Sequence, residues 1–466
     1  METRSGKAGG PELRRSMGTT TATMVVVGGV IGSGIFLKPL AVAQALPDAA
    51  WIHGCWIVLG VVCLLGALCY AELGAMLPEA GGQYAFLRES FGRFPAFLYG
   101  WCLFLVINTG TIAALSVAFA DSLRSLVAMS DAAYWGSALG MIVVLAVVNH
   151  VGVGVGAALQ NFATFAKIAM LVAIAVGGLV VAGAGGDPGG VRAATAAAGT
   201  TAAGTPDLVP GLAAAGIAIF WAYEGWYQIP FNAAEMKRPE RTLPRGLLLG
   251  IVLLIALYVT VNTAYLAQVP QREMVGFQSA IEVPRTAMAR IFGPTAAGLL
   301  PAMICVSVFG AANPNLLSTP RAFYAMAKDG LVMRPLMAVH ERFRTPHVAI
   351  WAQAAWAGLL VVVLKTFRDI TDYVVFASLL FYGLTAAGVL VLRRRRPDAP
   401  RPFRCPLVPF TPLLFIAVVL AVDVITLRTP ENRGNALIGL AILAAGVPVY
   451  FALHRRGTRT GGGTEA

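Results

Sequence analysis

The stretch Gly28–Phe36 reads GGVIGSGIF and lies within an otherwise apolar segment covering roughly residues 23–45. Four glycines and a serine in nine residues disfavour a continuous helix, because each glycine costs about 0.5–1 kcal/mol relative to alanine. Backbone groups freed by a break in a bilayer are tolerated only where they face protein or a wet cavity. The stretch therefore indicates either a membrane helix broken near its middle or a small-residue surface that lets another helix approach closely.

Composition identifies the chain as an integral membrane protein. Hydrophobic residues make up 57% and charged residues 12% of 466 positions, and the mean hydropathy is +0.72. The apolar segments are long enough to cross a bilayer as helices, and they lack the alternating pattern of an outer-membrane barrel. We predict about twelve transmembrane helices at 17–45, 51–78, 91–123, 133–150, 158–184, 208–234, 243–268, 286–313, 347–366, 370–392, 407–428 and 434–453.

The net charge of +12 follows the membrane topology and does not indicate nucleic-acid binding. If the N-terminus and every second loop face the cytoplasm, those segments hold 24 of the 35 lysines and arginines. This distribution is the positive-inside bias, and it predicts that both termini are cytoplasmic. The run RRRR at Arg393–Arg396 is then a flank of the tenth helix, which we favour over a lipid-headgroup site.

A second interrupted helix begins near Leu208 and carries FWAYEGW at Phe220–Trp226, with an intramembrane acid at Glu224. The two broken helices are the first and the sixth, an odd step that reverses direction across the membrane. This pattern predicts two inverted five-helix repeats with a binding site where the broken helices meet. We divide the chain into an N-terminal tail (1–15), a ten-helix core (16–396), helices eleven and twelve (397–454) and a C-terminal tail (455–466).

Four motifs together resemble the amino acid–polyamine–organocation superfamily, and within it most closely the L-type amino acid transporter family and its bacterial relatives. They are GGVIGSGIF, FWAYEGW followed by AAEMKRPERTLPR (233–245), FGAANPNLLSTPRAFYAMAKDGL (309–331) and PEAGGQYAFLRESFG (78–92). The resemblance runs from about residue 15 to 455. It implies a leucine-transporter-like fold, a bacterial inner-membrane location and alternating-access transport of amino acids. No cofactor is expected, and no metal site either, because none of the six cysteines has metal-ligand spacing.

The broken helices suit a zwitterion, because an amino acid has two charges that are costly to bury unpaired. The N-terminus of an outgoing half-helix offers free N–H groups to a carboxylate. We assign the α-carboxylate to the N–H groups of Ser33 and Gly34 and to the Ser33 hydroxyl. Glycine at 32 and 34 is expected because a Cβ would obstruct the ligand. The α-ammonium is assigned to backbone carbonyls near Val30, Ile31, Trp221, Ala222 and Glu224. This is also the binding mode that the resemblance implies.

Three side chains of the second break have more than one interpretation. Trp221 occupies the position at which the family carries an aromatic lid over the substrate, although tryptophan also anchors helices at interfaces. Tyr223 is either part of the site or plain packing. Glu224 contacts a cationic substrate, carries a proton, or stabilises the break through hydrogen bonds, and we favour the last.

Lys167 is the one basic residue well inside a predicted span. It either snorkels towards the cytoplasmic end of its helix or replaces the sodium ion of sodium-coupled relatives. The second interpretation, which the resemblance supports, predicts hydrogen bonds to carbonyls near Gly29 and to a hydroxyl of helix eight, which we assign to Ser307. It argues against sodium coupling and leaves a proton-carrying role open.

The sequence disfavours other classes of protein. The five histidines are scattered and provide no catalytic constellation, and broken helices around one site suit alternating access better than a channel pore. A non-transporting sensor on this fold would be expected to add a large soluble tail. The loop 121–132 has no cysteine, so no covalently bound heavy-chain glycoprotein is expected. We therefore predict sodium-independent exchange of neutral L-amino acids, with proton symport or antiport of cationic amino acids or polyamines as alternatives.

Overall fold

The computed structural model of the chain describes residues 17–79, 81–184, 208–364 and 367–460. The predicted tail 1–15 and the last six residues lie outside the described residues. The α-helices are α1 (Thr19–Val30), α2 (Gly34–Leu37), α3 (Pro39–Ala45), α4 (Ala49–Met76), α5 (Gln83–Phe91), α6 (Arg93–Cys102), α7 (Asn108–Arg124), α8 (Asp131–Val151), α9 (Val153–Gly183), α10 (Leu208–Ala222), α11 (Pro239–Gln268), α12 (Gln271–Val275), α13 (Glu282–Phe292), α14 (Pro294–Ser318), α15 (Pro320–Lys328), α16 (His347–Leu364), α17 (Phe367–Arg395), α18 (Phe410–Arg428) and α19 (Pro430–Thr460).

The protein is an all-helical membrane protein, as predicted. Eleven helical segments of the described chain are long and apolar enough to cross a membrane, and His347–Val363 is a shorter apolar helix. Together they account for the twelve predicted spans. A π-helical segment, Leu103–Ile107, joins α6 to α7 within one span, and a 3₁₀ segment, Trp226–Glu235, follows the break after α10.

Corresponding helices of the two predicted repeats pack on each other. The pair α4 and α11, the pair α7 and α14, and the pair α8 and α16 are all in contact. The helix α1 lies among α9, α11, α14 and the 3₁₀ segment, which places the first break in the interior of the bundle. The helices α18 and α19 pack on the outside of this core, against α17. Contacts between such counterpart helices are expected where two five-helix repeats pack together.

The eighth span differs from its predicted limits of 286–313. The helix α14 begins at Pro294, and the preceding residues form the separate helix α13. Gly293 between them has a φ of +88°, a conformation that only glycine adopts without strain, and Pro294 favours a new helix start. The twelfth span, Ala436–Leu453, agrees with the predicted limits, whereas the helix α19 that contains it continues to Thr460, into the segment assigned to the C-terminal tail.

The arginine run Arg393–Arg396 contributes to tertiary structure at one end of the bundle. Arg393 forms an ion pair with Glu72 of α4 at 2.7 Å, and Arg396 pairs with Glu89 of α5 at 2.8 Å. The Glu72 side chain is almost fully buried and also accepts a 2.6 Å hydrogen bond from the Cys405 backbone N–H. These contacts connect α17 to α4 and α5.

Candidate functional site

The two broken helices cross at their breaks. The helix α1 ends at Val30, and Ile31 leaves the helical conformation with a ψ of 92° before α2 starts at Gly34. A Cβ on Gly34 would overlap Ala222, and a Cβ on Gly225 would lie 2.9 Å from the Gly29 carbonyl oxygen. Gly225 also has a φ of +117°. Glycine at 34 is therefore required for the close approach of the second helix, and not only to leave room for a ligand.

A cavity of about 20 Å³ lies at this crossing. It has room for roughly one water molecule, so in this conformation it is too small to hold an amino acid. Seven of the predicted site residues line this cavity: Gly29, Val30, Gly32, Ser33, Gly34, Trp221 and Glu224. Ile31, Ala222 and Tyr223 are not among its lining residues, although Ala222 contacts the wall at Gly34.

Polar side chains donate hydrogen bonds to the backbone carbonyls that the first break exposes. Lys167 Nζ donates to the Gly28 carbonyl at 2.9 Å and to the Ile31 carbonyl at 2.7 Å. The Ser307 hydroxyl donates to the Gly32 carbonyl at 3.1 Å, and the Tyr258 hydroxyl donates to the Val30 carbonyl at 3.2 Å. Lys167 is 1% exposed, so its side chain turns into the protein and does not snorkel to a helix end.

Trp221 covers the cavity next to Ser33. Its indole Nε1 donates a 3.3 Å hydrogen bond to the Ser33 hydroxyl, and its ring packs edge-on against Phe367 of α17, with centroids 5.7 Å apart. Lys38 lies over the same Phe367 ring at 5.3 Å and donates to Thr371 at 2.8 Å. The aromatic pair and Lys38 thus connect both broken helices to α17 on one side of the cavity.

Tyr223 lies away from the cavity in an aromatic cluster. Its ring packs against Trp56 of α4 and Tyr258 of α11, with centroids 6.0 and 5.1 Å away, and it is fully buried. These contacts favour the packing interpretation of this residue.

Glu224 connects the second break to α17. Its Oε1 atom accepts hydrogen bonds from the Tyr382 hydroxyl at 2.7 Å and from the Ser378 hydroxyl at 3.3 Å. The side chain is 8% exposed and also lines the cavity. Glu224 therefore belongs to a hydrogen-bond network and to the cavity wall at the same time.

Sequence reasoning missed the opposite wall of the cavity. It consists of Thr111, Leu115, Gly225, Gln228, Ala311 and Asn315. These residues come from α7, α14 and the segment after the second break. Two short polar stretches within otherwise apolar spans, NTGT in α7 and NPN in α14, could have indicated this wall. Polar groups within a membrane are usually functional or face the bundle interior.

Comparison with known proteins gives the family. The family model described as amino acid permease matches residues 17–447. The chain belongs to the amino acid permease family. The permease is 33% identical to the serine/threonine exchanger SteT of Bacillus subtilis over 455 aligned residues. The alignment covers 95% of this chain and 98% of that protein.

Two mammalian relatives are similar over nearly the whole chain. The permease is 32% identical to the mouse large neutral amino acids transporter small subunit 2, over 96% of this chain and 82% of that protein. It is 29% identical to the mouse b(0,+)-type amino acid transporter 1, over 94% of this chain and 88% of that protein. The permease is therefore a membrane transporter and not an enzyme, and the resemblance drawn from the motifs is confirmed.

Proposed function

We propose that the permease exchanges neutral L-amino acids across a bacterial plasma membrane, without sodium, by alternating between outward-open and inward-open states. We also propose that both termini are cytoplasmic, because of the positive-inside distribution of lysine and arginine. The observation that carries the proposal is the buried cavity between two broken helices, lined by Ser33, Gly34 and Trp221. Helix ends of this kind supply both signs of partial charge that a zwitterion needs.

The α-carboxylate is proposed to bind the N–H groups of Ser33 and Gly34. The first backbone bonds of α2 run from the Phe36 and Leu37 N–H groups to the Ser33 carbonyl, so the N–H groups of Ser33, Gly34 and Ile35 all lie before the helical ladder. The Ser33 hydroxyl already accepts a hydrogen bond from Trp221. It still has a proton to donate to a carboxylate oxygen.

The α-ammonium is proposed to bind carbonyls on both sides of the crossing. The Val30 carbonyl accepts one side-chain hydrogen bond, from Tyr258, and retains a second lone pair. The Ile31 carbonyl accepts from Lys167 at 2.7 Å and from Ser307 at a longer 3.4 Å, so the ammonium would compete there with the weaker Ser307 bond. On the second helix the Trp221 carbonyl accepts a short-range backbone bond from the Glu224 N–H at 3.1 Å, which leaves it a lone pair for the ammonium. The Ala222 and Glu224 carbonyls are the remaining candidates.

Independence from sodium is proposed because Lys167 occupies the position that a cation would need. Its Nζ contacts two carbonyls of the first break, Gly28 and Ile31. The Ser307 hydroxyl contacts Gly32 on the other side. A fixed amine donor at these carbonyls removes the need for a bound cation there.

A second candidate is transport of cationic amino acids or proton-coupled transport, and Glu224 is the observation that favours it. Glu224 lines the cavity, and one oxygen of its carboxyl group accepts hydrogen bonds from Tyr382 and Ser378. We rank neutral exchange first, since those bonds already give Glu224 a structural role. We also propose that the permease works without a covalently bound heavy chain, because residues 121–132 contain no cysteine.

The test uses purified permease in liposomes that are empty or loaded with unlabelled amino acids. Uptake of a radiolabelled panel that includes neutral and cationic amino acids is measured without ion gradients. Uptake of neutral amino acids that requires internal amino acid supports the proposal. Uptake into empty vesicles that requires an inward proton gradient would establish symport instead, and uptake restricted to cationic amino acids would favour the second candidate.

A further inference from the structure

A pair of buried amides forms part of the cavity wall opposite the broken-helix backbone. Gln228 of the 3₁₀ segment donates through Nε2 to Asn315 Oδ1 of α14 at 2.8 Å. Both side chains are 1% exposed, and both residues line the cavity. No residue of the proposed carboxylate and ammonium sites belongs to this pair.

The hydrogen bonds determine which way each amide points. Asn315 Nδ2 donates to the Ala311 carbonyl of its own helix at 3.0 Å, and a carbonyl can only accept. The Asn315 Oδ1 atom must therefore face Gln228, which has to donate through Nε2. This leaves Gln228 Oε1 as the free end of the pair, and it is buried with no hydrogen-bond partner among the described residues.

Further hydrogen bonds hold Asn315, and through it they help to orient the Gln228 amide. The Asn315 backbone carbonyl accepts from Gln353 Nε2 at 3.2 Å and from Asn108 Nδ2 at 3.5 Å. Asn108 is itself held by the Thr319 hydroxyl at 2.8 Å. A preorganised acceptor loses little freedom when a ligand donates to it.

The cavity walls on the side of this acceptor are close together, which favours a short substrate side chain over a long one. A Cβ built on Gly32 would lie 3.1 Å from the Ala311 Cβ and 3.5 Å from Leu115 Cδ2, so the facing walls are already close. Thr111 also lines this side, and its hydroxyl donates to the Ile107 carbonyl. Its oxygen, like Gln228 Oε1, remains available as an acceptor.

We propose that Gln228 Oε1, positioned by Asn315, accepts a hydrogen bond from the side-chain hydroxyl of the transported amino acid, so that serine and threonine are selected over alanine and valine. The inference rests on the proposed function and specifies the side-chain subsite of the same cavity. A buried acceptor that loses its donor corresponds to roughly 5- to 100-fold in binding. A site built to hydrogen-bond a hydroxyl discriminates against the analogue that lacks it for this reason.

The test compares threonine with valine, which have nearly the same shape and differ in the hydroxyl. Exchange in liposomes is measured for both substrates with the wild type, Gln228→Met and Asn232→Leu. Asn232 is the matched control, because it donates to Ser318 of α14 in the same way, at 2.7 Å, and does not line the cavity. The ratio of kcat/KM for threonine to that for valine is the readout, since it does not depend on the amount of folded protein.

We expect a wild-type ratio of at least about tenfold, an unchanged ratio in Asn232→Leu, and a ratio near one in Gln228→Met with valine exchange retained. Equal rates for threonine and valine in the wild type would overturn the inference, as would a wild-type ratio in Gln228→Met. If Gln228→Met does not fold, the unfolding temperature of the wild type is measured with threonine and with valine. Threonine should raise it more than valine, and equal shifts would overturn the inference. Absence of exchange for every amino acid would refute the proposed function, and this inference with it.

Discussion

Replacing Lys167 with alanine removes the two hydrogen bonds that attach the first break to α9. Lys167 Nζ lies 2.9 Å from the Gly28 carbonyl and 2.7 Å from the Ile31 carbonyl, and it is 1% exposed. The carbonyls cannot turn to solvent, because they lie in the interior of the helix bundle. The conformation that holds them is therefore expected to become less stable.

The size of the effect follows from the two acceptors. A buried carbonyl left without its donor costs about 1–3 kcal/mol. The free-energy cost at the Ile31 carbonyl is smaller, because the Ser307 hydroxyl also donates to it, at 3.4 Å. Together the loss is about 2–4 kcal/mol, which shifts the population of the closed conformation by about 30- to 1,000-fold. We expect the exchange rate to fall at least about tenfold.

The assay is amino acid exchange in liposomes, with rates divided by the amount of monodisperse protein. Lys237→Ala is the matched control, because Lys237 is exposed and its loss should not change the rate. Added sodium or lithium ions should partly restore Lys167→Ala if a cation can replace the amine. An exchange rate equal to the wild type would refute the role given to Lys167.

Other substitutions test the lid, the crossing and a buried ion pair. Trp221→Ala removes an indole that lines the cavity and donates to Ser33. If it acts as the predicted lid, KM should rise at least about tenfold with little change in folded yield, whereas equal losses of affinity and yield would assign Trp221 to packing. Gly34→Val introduces a branched side chain where a Cβ already overlaps Ala222, so both uptake and folded yield should fall, and a normal yield would contradict the crossing. Arg321→Ala leaves the buried Glu235 carboxylate, 3.0 Å away, without its partner, which should cost about 3–5 kcal/mol of stability. An unchanged unfolding temperature would show that this pair is not needed.

The helical fold could largely be predicted from the sequence, because a bilayer restricts which backbone structures can cross it. Long apolar segments must be helices, and the glycine-rich stretch Gly28–Phe36 indicated the first break. The limits of the eighth span were wrong because Gly293 and Pro294 end one helix and start another within a region that is apolar overall. The average hydrophobicity of a window does not change at such a boundary, whereas the backbone φ of Gly293 does.

The two interpretations of the glycines proved to be compatible. The sequence could not choose between a broken helix and a small-residue contact, since both need glycine. The structure contains the break at Ile31 and also the close contacts of Gly34 with Ala222 and of Gly225 with Gly29. The position of Ala222 in space decided this, and no local pattern reports it.

The sequence by itself determined the class of protein, the two breaks and the family, because each depends on local composition or on motifs along one segment. Only the tertiary structure decided which side chains share the cavity. Gln228 and Asn315 are 87 residues apart, and Lys167 is 139 residues from Gly28. Such contacts depend on the rotation of each helix about its axis, which is set by packing against several neighbours at once and not by the helix's own sequence.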